Sequence, residues 1–437
     1  MNRITEDMIT AFHEAYRADA HAHTLHAAMA KTPVEDLAFV PMQAAKLNGA
    51  FELEIKTHGI TAQERSGRCW LYAVMNILRE AVIDKCGLEE FELSGNYLAF
   101  FDKLEKANNI LEMAIRYADL PWDDRMTEYV YHGYWDGGYW DMAADLVAKY
   151  GAVPKDAMPE TWQSSHTERF VRLMNTAVRK GCVELQKMVR EGKDPQPRKK
   201  EILNEIFRAQ CIAFGEPVTS FDFTYRDKDG NYHSDLKLTP KAFYEKYIGI
   251  DLHDYVTVTH HPTEHLPMDL RYKFHYIGSM AEGDVDNLNL TMDELQELCL
   301  KQLRAGMPVW FGCDSGAYGD RKMGIWDPDS LDFEGVVGGM DLWMDKKTRL
   351  ESRDSFATHA MILIGVHFDE NGEPLRWKIE NSWGKDVGKD GYFVCSQKYF
   401  REYVYEAIIH KDFLNDRQRK LMEQEAVEVP AWASDWM

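Results

Sequence analysis

Cysteine is scarce in this sequence and unevenly placed. Seven occur, at positions 69, 86, 182, 211, 299, 313 and 395, an odd number with no C-x-x-C pair among them. That argues against a zinc knuckle, a thioredoxin-type motif and a fully paired disulfide framework. It fits free thiols in a reducing cytoplasm, the expected location. No apolar run reaches the roughly 18 residues of a membrane-spanning helix. The first stretch, MNRITEDMITAFHEAYRADA, has no apolar segment of the secretory-signal kind. Positive charge is in deficit: 51 Lys and Arg against 72 Asp and Glu leave a net charge of −21. A nucleic-acid surface needs Lys and Arg to displace counterions, so nucleic acid is an unexpected partner. There is no internal repeat and no low-complexity tract. An apolar content of 45% is nevertheless enough to build a core without disulfide staples.

What is present reads as helical in front and strand-rich behind. Residues 4–30 carry apolar positions at helical spacing (Ile4, Met8, Ile9, Phe12, Tyr16). Residues 51–67 read as strand, then loop. Cys69 to Val82 reads as a helix with Leu71, Val74, Met75, Leu78 and Val82 on one face, and Ser66-Gly67 ahead of it as cap and turn. Residues 97–130 and 160–213 follow helical patterns, with a polar break at 191–201. Residues 136–154 read as a glycine turn, a helix and a stop at Gly151. Asp227 to Asn231 reads as a turn inside a strand pair. From about Pro308 the chain turns to short runs rich in β-branched and aromatic residues, VWFGC, MILIGVHF and RWKIENSW.

The most informative segment is Gln63-Glu-Arg-Ser-Gly-Arg-Cys69-Trp70. A cysteine that opens a helix meets unpaired N–H groups and the positive end of the helix dipole, and both favour the thiolate that attacks. Gln63, across a turn, could donate its amide to an oxyanion beside the sulfur. A thiol nucleophile needs a base, and the base needs an orienting partner. Of sixteen histidines, His359 stands apart at the mouth of a continuous apolar strand in SFATHAMILIGV. Twenty-two residues on, Asn381-Ser-Trp383-Gly384 ends another strand. Asn381 could accept the second imidazole N–H of His359, and Trp383 could shield that bond from water.

Together, Gln63, Cys69-Trp70, His359 and Asn381-Ser-Trp-Gly resemble the papain-like cysteine peptidases in type and chain order. Asp136-Gly137-Gly138-Tyr139 resembles that family's glycine pair, whose backbone holds the substrate chain. Gly306-Met-Pro308-Val-Trp-Phe-Gly-Cys-Asp resembles the strand entering its second lobe. The resemblance implies a two-lobed α+β papain-like fold, with Gln63 as oxyanion donor, Cys69 as nucleophile, His359 as base, Asn381 as its orienting partner, Trp383 in support, and no metal or other cofactor.

The separation of Cys69 from His359, 290 residues, exceeds the papain spacing of about 130–150, so roughly 140–160 residues are inserted. Ser66, Arg68 and Thr358 stand where secreted relatives often carry Cys, Ser and Asp. These departures point to a cytoplasmic branch. The whole chain resembles the bleomycin hydrolase and aminopeptidase C family, carried further by Trp310-Phe-Gly-Cys-Asp, Thr358-His359-Ala360-Met361, Tyr403-Val-Tyr-Glu406 and Val429-Pro430-Ala-Trp432. That resemblance implies an N-terminal extension over 1–68, a lobe over 69–154 with the nucleophile helix and glycine pair, and a mostly helical insertion over 155–300 that builds a homohexameric ring. A β-rich lobe follows over 301–425, and a tail over 426–437 lies in the cleft. There the Met437 carboxylate would pair with the α-ammonium of a peptide substrate, with Gly137 and Gly138 holding its backbone, and the enzyme would remove N-terminal residues. The ending Ala-Ser-Asp-Trp-Met437 departs from the usual one. A tail that stops short would leave an oligo-endopeptidase instead.

Overall fold

The computed structural model describes residues 1–281 and 283–436. Its organising helix, α1 (Cys69–Cys86), ends where Gly87 adopts a left-handed conformation at φ 62°. Most of the helix is buried, because apolar residues populate every side of it rather than one stripe. Behind it come α2 (Gly95–Arg116), α3 (Arg125–His132) and α4 (Trp140–Tyr150), followed by α5 (Glu168–Arg190) and α6 (Gln196–Phe214). Helices α2, α5 and α6 share a core of Leu111, Val178, Leu185 and Ile206.

Among the described residues twelve strands join one sheet. Its main members are β1 (Tyr255–Thr259), β2 (Leu270–Phe274), β3 (Val285–Asn289), β4 (Val309–Cys313), β5 (His359–Phe368), β6 (Pro374–Glu380), β7 (Tyr392–Ser396), β8 (Val404–His410) and β9 (Val427–Val429). They lie in the order β9-β2-β3-β1-β8-β4-β5-β6-β7. Strand β5 is apolar without alternation because both of its faces are covered. Ala360, Ile362 and Ile364 pack with Leu71, Val74 and Leu78 of α1. Met361 and Leu363 pack on the other side with Leu295, Leu298 and Leu303. The sheet thus holds the nucleophile helix on one face and a second core on the other.

Several elements differ from the sequence reading. The helix expected over 4–30 is two helices, Glu6–Ala18 and Ala20–Met29, because the Asp19 side chain accepts the N–H groups of His21 and Ala22 and starts a new one. The pattern over 97–130 breaks at Leu120-Pro121. The polar break at 191–201 is shorter, since α6 already begins at Gln196. The stretch 155–300, expected to be mostly helical, is helical chiefly to Phe214. A hairpin, Phe221–Arg226 with Tyr232–Leu238, follows, and β1, β2 and β3 then join the main sheet. Half-polar segments such as LRYKF and VDNLN hide these strands, because Arg271 and Lys273 of the first are only partly covered and the second buries the polar Asn287 and Asn289.

Candidate active site

Cys69 is the first residue of α1, and Arg68 precedes it without capping the helix. The expected Ser66–Gly67 cap is absent. The Ser66 hydroxyl instead donates to the Gln63 carbonyl at 2.5 Å and accepts from Arg68 Nε at 2.8 Å. Arg68 is buried and reaches Glu160 at 3.0 Å. The first-turn N–H groups are therefore left to the sulfur. Burial pushes the Cys69 thiol up, and the backbone N–H groups of Ala360, Trp70 and Cys69 itself pull it down without cancelling that effect.

Strand β5 brings His359 to the same place, one residue before Ala360. His359 Nε2 lies 2.8 Å from Asn381 Oδ1. The same oxygen accepts the Ser382 backbone N–H at 2.7 Å. With the amide oxygen turned to the ring, Nε2 carries the proton and Nδ1 is left as the basic atom. Asn381 is fully buried. Trp383 stacks on the imidazole, with centroids 4.6 Å apart and planes at 24°. The Arg321 guanidinium sits 4.5 Å over the Trp383 ring. Burial, with the charge of Arg321, pushes His359 down to about 4 despite the Asn381 hydrogen bond. Burial thus acts against charge on each of the two groups.

Gln63 is clamped to the strand end that carries Asn381. Its Oε1 accepts from Ser382 Oγ at 2.7 Å, and its backbone N–H donates to the Ser382 carbonyl at 2.8 Å. Its Nε2 donates one hydrogen to the Ser66 carbonyl at 2.6 Å, which leaves the second for another acceptor.

Gly137 and Gly138 lie against the residue after the nucleophile. Trp70 Nε1 donates to the Asp136 carbonyl at 2.8 Å, and a Cβ on Gly138 would sit 2.6 Å from the Trp70 ring. Lys106, fully inside the protein, donates to the Gly137 carbonyl at 2.6 Å, the Trp135 carbonyl at 3.1 Å and Asp102 at 2.9 Å. Burial opposes the Asp136 charge, yet Lys103 at 2.5 Å, Thr167 and Lys106 hold its carboxyl down at about 2. This buried lysine pair was missed in the sequence, where Asp102-Lys103 and Lys106 look like a solvated helix face. Also missed was the ion pair between Arg79 of α1 and Glu380, 2.7 Å long and closed to solvent on both sides. Its only sequence trace is an arginine on an otherwise apolar helix and a glutamate directly before Asn381.

Met437 lies outside the described residues. The tail before it pairs β9 with β2 in parallel, and residues 431–436 turn against α3. The Trp432 ring lies 4.5 Å from the Arg125 guanidinium, and Ala433 is buried in a cluster that Tyr139 borders. The described tail therefore reaches the loop of the glycine pair.

The model of the Peptidase C1-like family matches residues 3–435. Aminopeptidase C of Listeria innocua serovar 6a is 37% identical over 431 residues, covering 98% of this chain and 97% of that one. Aminopeptidase G of Lactobacillus delbrueckii subsp. lactis is 37% identical over 443 residues, covering 99% of each. The crystal structure of PepW from Lactobacillus rhamnosis HN001 superposes with a TM-score of 0.96 at 36% identity, covering 100% of this chain and 98% of that one. A helix-borne cysteine beside a strand-borne histidine, on a chain matched nearly end to end, places the protein in the Peptidase C1-like family, with the papain-like α+β fold.

Proposed function

We propose that the protein is a thiol aminopeptidase that hydrolyses peptides through an acyl-enzyme on Cys69. The observation that carries the reading is the His359–Asn381 hydrogen bond under the Trp383 ring, on the strand whose next N–H faces the Cys69 sulfur. His359 Nδ1 takes the thiol proton as the sulfur attacks the substrate carbonyl carbon. The second Nε2 hydrogen of Gln63 and the Cys69 backbone N–H stabilise the oxygen that becomes negative. The imidazolium returns its proton to the departing amine as the C–N bond breaks. Water then attacks the thioester with His359 as base, which releases the carboxylic acid and restores the thiol. Asn381 holds the ring in the tautomer this requires.

Gly137 and Gly138 bind the substrate backbone, and the tail over 426–437 narrows the groove so that the Met437 carboxylate meets a free N-terminus. The names of the relatives, aminopeptidases C and G, support this exopeptidase reading. Comparing one peptide with its N-acetylated form tests it. Cleavage of the free form alone is the expected result. Equal internal cleavage of both would make the protein an oligo-endopeptidase. The helical segment of 155–214 serves assembly into a homohexamer, a reading supported by Leu173, Val183 and Ile212, which stand exposed on its helices. Light scattering should then give about six times the chain mass of 50.6 kDa. The unpaired state of all seven cysteines supports a cytoplasmic location.

A further inference from the structure

Lys106 takes no part in the hydrolysis, yet three acceptors converge on its ammonium. It stands on α2 with its side chain inside the protein. An ammonium has three hydrogens and no lone pair, and here each hydrogen is taken. The Gly137 carbonyl lies at 2.6 Å, the Trp135 carbonyl at 3.1 Å and Asp102 Oδ2 at 2.9 Å. Asp102 sits one turn earlier on the same helix and is buried too. Its other oxygen accepts the hydroxyl of Ser279, a residue fully closed to solvent, at 2.6 Å. A buried cation needs such an anchor, and the anchor leaves two hydrogens for the backbone of the glycine-pair loop.

Those two bonds set the direction of the loop. In a trans peptide unit the C=O and the N–H that follows it point opposite ways. Drawing the Gly137 carbonyl to Lys106 turns the Gly138 N–H away from the lysine. Asp136, one residue earlier, gives its carbonyl to Trp70 Nε1 at 2.8 Å, which turns the Gly137 N–H away from that ring. Three successive carbonyls are thus committed to the protein. Among the described residues nothing accepts the N–H of Gly137 or of Gly138, and both residues are half-buried. A backbone donor in that position is open to water or to a substrate carbonyl.

Glycine cannot hold such a path by itself, because it has no Cβ to narrow its φ and ψ. A Cβ is also excluded there: on Gly138 it would sit 2.6 Å from the Trp70 ring, and on Gly137 2.9 Å from that of Trp135. The rigidity has to come from outside the pair. The Lys106 ammonium lies 5.3 Å from the centroid of Trp70, the residue next to Cys69, so one group touches both the loop and the start of the nucleophile helix.

We propose, resting on the peptidase reading, that Lys106 is a positioning residue for the hydrolysis. Its ammonium, anchored by Asp102, fixes the Trp135 and Gly137 carbonyls so that the glycine pair presents its N–H groups to the substrate backbone.

Lys106→Met alone would strand the Asp102 carboxylate. The full-length variant to make is therefore Lys106→Met/Asp102→Asn, in which the asparagine oxygen can still accept the Ser279 hydroxyl. Three measurements are made on it. In steady-state cleavage of a free tripeptide that the wild type hydrolyses, KM should rise about tenfold or more and kcat should fall by no more than about threefold, the pattern of lost substrate binding. Alkylation of Cys69 by iodoacetamide, followed by peptide mapping, needs the thiol and His359 but not the glycine pair, so its rate should stay within about twofold of wild type. A crystal structure should show the Gly137 carbonyl turned from its wild-type direction. Should the double variant not fold, Lys106→Gln carries the same measurements, with a rise in KM of at least about threefold for one lost hydrogen bond. An unchanged KM, alkylation that falls in step with kcat/KM, or a Gly137 carbonyl still in place would each overturn the positioning role. Failure of the wild type to cleave any peptide would instead remove the peptidase reading, and the crystal structure would still decide whether Lys106 holds the loop.

Discussion

Replacing Arg79 by Met should destabilise the protein through a residue that touches no substrate. Arg79 Nη2 meets Glu380 Oε1 at 2.7 Å, and both side chains are closed to solvent. The arginine also bonds Asn76 at 3.1 Å and Glu80 at 3.0 Å, both on α1, which fix the guanidinium where it ties the helix to β6 through Glu380. Removing one member of such a pair strands the other as a buried charge and costs about 3–5 kcal/mol. The unfolding entropy is about 2.1 cal/mol/K per residue, or roughly 0.9 kcal/mol/K if the 437 residues unfold together. Calorimetry at pH 7 should therefore show a melting point lower by about 3–6 °C. Burial already raises the Glu380 carboxyl, and Arg79 opposes that rise. Without Arg79 it climbs further. A carboxyl raised in the folded state weighs against stability only above its unfolded pKa, so the deficit should be largest near neutrality and shrink as pH falls toward about 4.5. Arg79→Met with Glu380→Leu should recover most of the loss, because an apolar pair of similar size avoids the stranded charge. A double variant as unstable as the single one, or a deficit that does not shrink in acid, would refute the reasoning.

Gln63→Ala should lower kcat about a hundredfold, the usual loss for one oxyanion donor, with a much smaller change in KM. Gly138→Ala should raise KM and lower kcat/KM, because its Cβ needs the space of the Trp70 ring; steady-state kinetics check both variants. The acid limb of kcat/KM should fall near pH 4, where His359 gains a proton. Trp383→Ala should move that limb up toward 6.5 by admitting water to the ring. Because the folded pKa of His359 lies below the unfolded one, its contribution to stability is complete above about 6.5 and declines as pH falls toward 4. Chemical denaturation across that window should show the decline in the wild type and less of it in His359→Gln.

How far the fold and site were legible follows from where the physical signal lay. The α1 helix could be read because its apolar positions are local, and β5 because a strand covered on both faces leaves a continuous apolar run. The His359–Asn381 contact could be read because each residue ends or opens a strand beside turn residues. The strands over 255–289 could not, since they mix polar and apolar residues and bury Thr257, Thr259, Asn287 and Asn289. Nor could the partnership of Arg79 with Glu380, 301 positions apart, or the carboxylate of Glu406 lying over Gly312. A buried charge looks like a solvated one until its neighbours are known.

The placement of Cys69 and His359 on elements far apart in the chain also sets when a ribosome's product can become reactive. The helix that carries the thiol is complete at residue 86, but β5 lies between β4 and β6, and β4 is in turn flanked by β8. Until residue 383 has emerged, β5 lacks β6 as a neighbour, and the imidazole lacks Asn381 and Trp383, which fix its seat. Pairings over such separations form late and slowly. A nascent or truncated chain therefore carries the cysteine without its base, so that topology alone keeps the thiol from cutting peptides beside the machinery that is still making it.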